Sequence, residues 1–152
     1  MKIRLMQCFD VDLLDGIIRN SAVYPFVSDD ACPAPDDFTC RSLVEDEKNI
    51  FVLVYDDFAP VGCFAFLGNE LHTCMLLECR GRNAVDAGNQ AIAYFFEKTG
   101  AVEVTSFAFE EMPQTLWYAK ALGFQRDGEP FKHTQTRGGL PLTRINFKKE
   151  KS

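Results

Sequence analysis

Histidine and tryptophan are scarce in this chain: two and one, respectively, in 152 residues. The six cysteines, at 8, 32, 40, 63, 74 and 79, contain no Cys-x-x-Cys pair. These shortages argue against a zinc site, which draws its ligands from closely spaced cysteines and histidines. No apolar run approaches the roughly 20 residues that cross a bilayer as a helix. Met1-Lys2-Ile3-Arg4 is not followed by a long apolar core, so no secretory leader is expected. Nor is there an excess of positive charge. The formal net charge is −6, the wrong sign for non-specific nucleic-acid binding. The expectation is therefore no metal, no nucleic acid and no membrane partner.

What is present is ordinary for a globular protein: 47% apolar residues, 25% charged residues and fourteen phenylalanines. A single domain over residues 1–152 is expected, long enough to bury roughly two-thirds of its unfolded surface. Four of the six cysteines sit in apolar, strand-like surroundings. They read as small buried thiols of a reducing compartment, the cytoplasm.

The middle of the chain has the clearest pattern. Glu70 to Leu77 is an apolar run of strand length. Val85, Gly88, Ala91, Ile92, Phe95 and Phe96 then recur at helical spacing up to Lys98, and Gly100 ends the helix. Between strand and helix lies Arg80-Gly81-Arg82. Free amides and the dipole at a helix start can hold a phosphate, and two arginines add charge. A solvated basic turn explains the same residues, and local pattern alone leaves both open.

Around this centre, Lys2–Gln7 alternates as a strand, and Asp10 can cap a helix with Val11, Leu14, Ile17 and Ile18 on one face. Tyr24–Asp37 reads as loop and Phe38–Glu45 as a short helix. Ile50–Tyr55 and Val61–Leu67 form a hairpin, and Gly68-Asn69 turns into the central strand. Val102–Phe109 is a strand and Gln114–Leu122 a helix stopped by Gly123. Phe124–Thr136 and Leu140–Phe147 close the chain as a hairpin. Hairpin strands followed by one strand–helix–strand unit predict an α+β fold: a mixed sheet of about seven strands with helices on both faces.

This order, with its motifs, resembles the GNAT superfamily of N-acetyltransferases over nearly the whole chain. That family carries Arg/Gln-x-x-Gly-x-Gly/Ala after its fourth strand, where backbone amides hold the coenzyme A pyrophosphate. Arg80-Gly81-Arg82-Asn83-Ala84-Val85 falls there. The family's last helix ends Tyr-x-x-x-Gly-Phe, and Ala119-Lys120-Ala121-Leu122-Gly123-Phe124 falls there. The resemblance implies acetyl transfer from acetyl-CoA to an amine on a small molecule or protein. The implied cofactor contacts are Met75, Leu77, Arg80, Gly81, Arg82, Asn83, Ala84 and Val85. It also implies a backbone amide near Met75 as the donor to the thioester carbonyl.

The departures are specific. Asn83 and Val85 stand at the motif's small-residue positions, Ala119 where active members place a tyrosine, and Met112 where an asparagine is common. Tyr118 adjoins position 119, one helical step of about 100° away. The mixture is also similar to phage-encoded GNAT-like proteins, implying the alternative of a non-catalytic assembly role in a virion. If the chain is an enzyme, Glu70 at the head of the fourth strand is the first candidate base, His72 the second, and Tyr118 the candidate acid. Glu110 and Glu111 could face the same cleft or only decorate a helix start. Strand alternation sets Cys74 on the face of His72, where a Cys–His pair is conceivable.

Overall fold

The computed structural model describes residues 1–152. Eight strands form one mixed sheet, ordered β1-β2-β3-β4-β5-β8-β6, with β7 also pairing β8. The strands are β1 (Ile3–Gln7), β2 (Asn49–Asp56), β3 (Ala59–Leu67), β4 (Glu70–Met75), β5 (Glu103–Phe109), β6 (Gln125–Arg126), β7 (Phe131–Arg137) and β8 (Leu140–Glu150). The helices are α1 (Val11–Ile18), α2 (Tyr24–Val27), α3 (Arg41–Glu45), α4 (Arg82–Thr99) and α5 (Pro113–Ala121). β2 and β3 are buried on both faces, as their unbroken β-branched and aromatic runs require.

One core lies on each face of the sheet. α4 sets Ala87, Ala91, Ile92, Phe95 and Phe96 against Val52, Phe64 and Phe66. The Phe95 and Phe66 rings stack at 4.5 Å. On the other face, α1 packs Leu14, Ile17 and Ile18 on Phe51, Leu53, Cys63 and Ala65. The Asp10 carboxylate caps α1 by accepting the Leu13 N–H, and Gly100 takes the left-handed conformation past α4.

Three expectations need correction. The central strand ends at Met75, not Leu77. Cys79 turns into the core and its N–H closes a 3-10 turn on the Leu76 carbonyl, which swings Leu77 outward to 66% exposure. The single strand expected over Phe124–Thr136 is split into β6 and β7, because Gly128 takes φ +94 and Pro130 carries no N–H for the ladder. The sheet therefore has eight strands. Finally, Tyr24–Asp37 is not all loop: Pro25 starts the turn of α2, and a 3-10 turn covers Pro35–Asp37.

One feature of the sheet positions the candidate site. β4 and β5 are parallel but pair only at Glu70–Thr105. Beyond that point the Ser106 hydroxyl reaches the Leu71 carbonyl at 3.1 Å, and then the strands diverge.

Candidate functional site

A cavity of about 430 Å³ fills the space where β4 and β5 part. Leu71, His72, Thr73 and Met75 form one wall and Ser106, Phe107 and Phe109 the other. It passes through the sheet, with Ala84 of α4, Tyr118 of α5 and Leu122 just past α5 on one side and Phe26, Ser28 and Arg137 on the other. The Leu76 N–H donates to the Val61 carbonyl at 2.9 Å. Bonding direction alternates along an antiparallel ladder. Cys74 and His72 therefore also bond toward β3, and Thr73 and Met75 turn their backbone groups toward the opening.

At the α4 end, Gly81 adopts φ 72, ψ −135, and no side chain caps the helix. A Cβ on Gly81 would meet nothing within 4 Å, and no side chain takes the first-turn amides. Arg82 is exposed beside them. Arg80 is not free. Its guanidinium donates to the Met75 carbonyl at 3.3 and 3.4 Å and to the Ala22 carbonyl, and lies over the Phe26 ring at 5.3 Å. Asn83 is helical and carries no positive φ, since Gly81 makes the turn, and Val85 packs on the main core. Ala84 is buried in that core. Leu77 is not part of the cavity wall.

At the other end, strand alternation brings Glu70 and His72 onto one face, where His72 Nε2 and Glu70 Oε1 are 2.8 Å apart. Arg144 stands 3.6 Å from the other Glu70 oxygen and lies over Phe107 at 3.9 Å, while Phe107 meets the His72 ring edge-to-face. The His72 hydrogen bond holds the Glu70 carboxyl below the usual range against the opposing effect of burial, with the charges of His72 and Arg144 adding to it. In the neutral tautomer that donates from Nε2 to Glu70, the lone pair of His72 is on Nδ1. His72 lines the cavity and Glu70 stands behind it.

The Tyr118 hydroxyl lies in the cavity wall and donates to the Ala84 carbonyl at 2.6 Å. Burial raises its pKa. Gly88 makes room for it, as a Cβ there would come within 2.5 Å of the hydroxyl. Glu111 accepts the Thr143 N–H, and neither it nor Glu110 lines the cavity. Cys74 is buried in the α1-side core opposite Cys63. All six cysteines are free and five are buried. Burial and the Asp15 carboxylate push the nearby Cys40 thiol up to about 12. Ser28 and Arg137, distant in sequence from β4, were not marked by any local pattern. Arg137 directly precedes Gly138-Gly139, a turn signal and not a site motif.

No family model matches the sequence, and no curated protein matches it. Solved structures do match. A spermidine N-acetyltransferase from Vibrio cholerae, in complex with CoA and spermine, superposes with a TM-score of 0.75 at 13% identity, covering 98% of this chain and 94% of that one. A ribosomal-protein-S5-alanine acetyltransferase from Vibrio fischeri gives 0.72 at 15% identity, over 97% and 91% of the two chains. An acetyltransferase of the GNAT family from Bacillus anthracis gives 0.71 at 15%, over 99% and 95%. No helix here is long and apolar enough to cross a membrane. At these identities the likeness is one of architecture, and the chain has the fold of the GNAT-type N-acetyltransferases.

Proposed function

We propose that this protein is an N-acyltransferase that takes an acyl group, acetyl in the first instance, from coenzyme A to an amine. The observation that carries this reading is the cavity through the sheet. It has uncapped helix amides on one side and a buried-edge His–carboxylate pair on the other. A bound acyl-CoA supplies the reactive thioester carbonyl. The first-turn amides of α4, with Arg82, suit its pyrophosphate. The Met75 backbone N–H, on the strand edge turned to the opening, suits the carbonyl oxygen. His72 takes a proton from the incoming ammonium, and Glu70 holds the ring and stabilises its charge. Tyr118 is the nearest phenol to act as acid, once its hydroxyl leaves the Ala84 carbonyl.

The test is release of free thiol from acetyl-CoA in the presence of amines. His72→Ala and Glu70→Gln should lower the rate by roughly 10²–10⁴-fold, with coenzyme A binding retained. Unchanged rates in both variants would remove the pair from the chemistry.

A second reading is kept by two observations. Arg80 is bound to main-chain carbonyls rather than open to a phosphate, and Tyr118 is bound to Ala84 beside an alanine at 119. Both contacts leave fewer groups free for cofactor and chemistry, which a protein that uses this fold only for assembly, for example in a phage virion, can tolerate. For either reading, the cytoplasm of a bacterial host suits six free thiols.

A further inference from the structure

The wall of the cavity opposite α4 carries a cation with unused donor capacity. Arg137 reaches from the end of β7, and its Nη2 donates to the Ser28 carbonyl at 2.7 Å. Its Nε is buried and has no partner. No carboxylate forms an ion pair with it. The acids that hold the same turn have their oxygens taken by other donors, although the Arg137 charge also helps hold Asp30 low. Asp30 accepts from the Thr136 hydroxyl at 2.7 Å and from the Gly138 and Gly139 amides at 2.9 Å. Asp29 accepts from Gln135 and from the Ala31 amide.

The cavity wall as a whole agrees. Its formally charged side chains are Arg80 and Arg137, and no Asp or Glu is among them, although the chain carries −6 overall. A buried donor without a partner is costly unless a ligand satisfies it. A polycationic amine entering here would meet like charge and leave Nε unsatisfied. A carboxylate at the cavity wall would pair with the Arg137 guanidinium, and a shift of that side chain toward it would give Nε a partner as well.

Resting on the transferase reading above, we propose that Arg137 anchors a carboxylate of the acceptor. The substrate class is then a small amine that also bears a carboxylate, such as an amino acid, and not a polyamine. In the transfer, the ammonium gives one proton to His72 and thence to water. Its nitrogen forms the amide C–N bond as the thioester C–S bond breaks, and the second N–H proton ends on the departing sulfur. The carboxylate held by Arg137 is unchanged throughout.

The experiment pairs each acceptor with its decarboxylated analogue: leucine with 3-methylbutylamine, and phenylalanine with 2-phenylethylamine. Spermidine serves as the polycation. Comparing the wild-type ratio with that of Arg137→Gln cancels differences in amine basicity. The ratio of kcat/KM, carboxylated over decarboxylated, should fall roughly 10- to 100-fold in the variant, mostly through KM. An unchanged ratio, or a wild-type preference for spermidine, overturns the proposal.

Titration of N-acetylleucine and of N-(3-methylbutyl)acetamide, with no coenzyme present, separates this from the transferase reading. Binding of the carboxylate alone, lost in Arg137→Gln, supports the anchor even if acetyl-CoA proves not to bind. No binding of N-acetylleucine to the wild type, or equal binding of both, overturns the anchor even if turnover is seen. If Arg137→Gln fails to fold by circular dichroism, the wild-type preference between these two ligands decides alone.

Discussion

Gly81 holds the turn at φ 72, ψ −135, a region that residues with a side chain rarely adopt. A Cβ there would clash with nothing, so Gly81→Ala isolates the backbone cost. It should lower stability by on the order of 1–3 kcal/mol in urea unfolding, and it should weaken acyl-CoA binding by tilting the first turn of α4. Four carboxylates are held low, Asp15, Asp29, Asp30 and Glu70, and Asp15 and Glu70 are the least exposed of them. Glu70 is held low by His72 as described above. Burial pushes Asp15 up, but the Cys40 N–H, the Thr39 hydroxyl and Arg19 outweigh it, and the net shift is downward. A carboxyl with a lowered folded value stabilises the fold fully above its unfolded value, about 4, and loses that contribution as pH falls through the folded value. The unfolding midpoint should therefore drop below about pH 4. Asp15→Ala should make that drop shallower while costing about 1.5–3 kcal/mol at pH 7, because it strands the buried Cys40 N–H. At this scale the sequence was informative where chemistry is local. The i, i+2 spacing of Glu70 and His72 puts them on one strand face, although the sequence pattern alone offers them as two separate base candidates. Arg137 and Ser28 are 109 positions apart, and no local pattern joins them.

Between elements, the seam of α4 and α5 is the sensitive contact. Gly88 faces Tyr118 Oη at 2.5 Å and Leu122 Cδ2 at 2.7 Å from a notional Cβ. Alanine would favour the α4 helix by about 1 kcal/mol, but overpacking typically costs about 1–3 kcal/mol. Gly88→Ala should come out destabilised, and Tyr118 fluorescence or its titration should report the loss of the Ala84 contact. Phe95→Ala should cost about 3–5 kcal/mol, since the ring is buried and stacked on Phe66. A loss below about 1 kcal/mol would mean that α4 does not pack as described. The helix periodicity of α4 was legible because a helix on a sheet must bury one stripe. Where β4 ends was not. The apolar run continues through Leu76 and Leu77, and only burial of Cys79 decides that the chain leaves the sheet at Met75.

For the whole molecule, the order of hairpins, one parallel unit and a closing hairpin yields the sheet, and chains sharing 13–15% of its residues adopt the same fold. Apolar pattern and turn chemistry persist at that distance, which is why the architecture could be read from the sequence. The far lining of the cavity could not, because Phe26, Ser28 and Arg137 reach it from segments distant in the chain from β4 and β5. The central claim is that this opening and the adjoining α4 start hold an acyl-CoA. Isothermal titration of acetyl-CoA into the protein tests it most directly, with Arg82→Ala run alongside. Saturable one-to-one binding is expected, weakening in Arg82→Ala by about 1.5–3 kcal/mol, the size of a charge-assisted hydrogen bond. No heat and no thermal shift at millimolar acetyl-CoA, with the fold intact by circular dichroism, would contradict it.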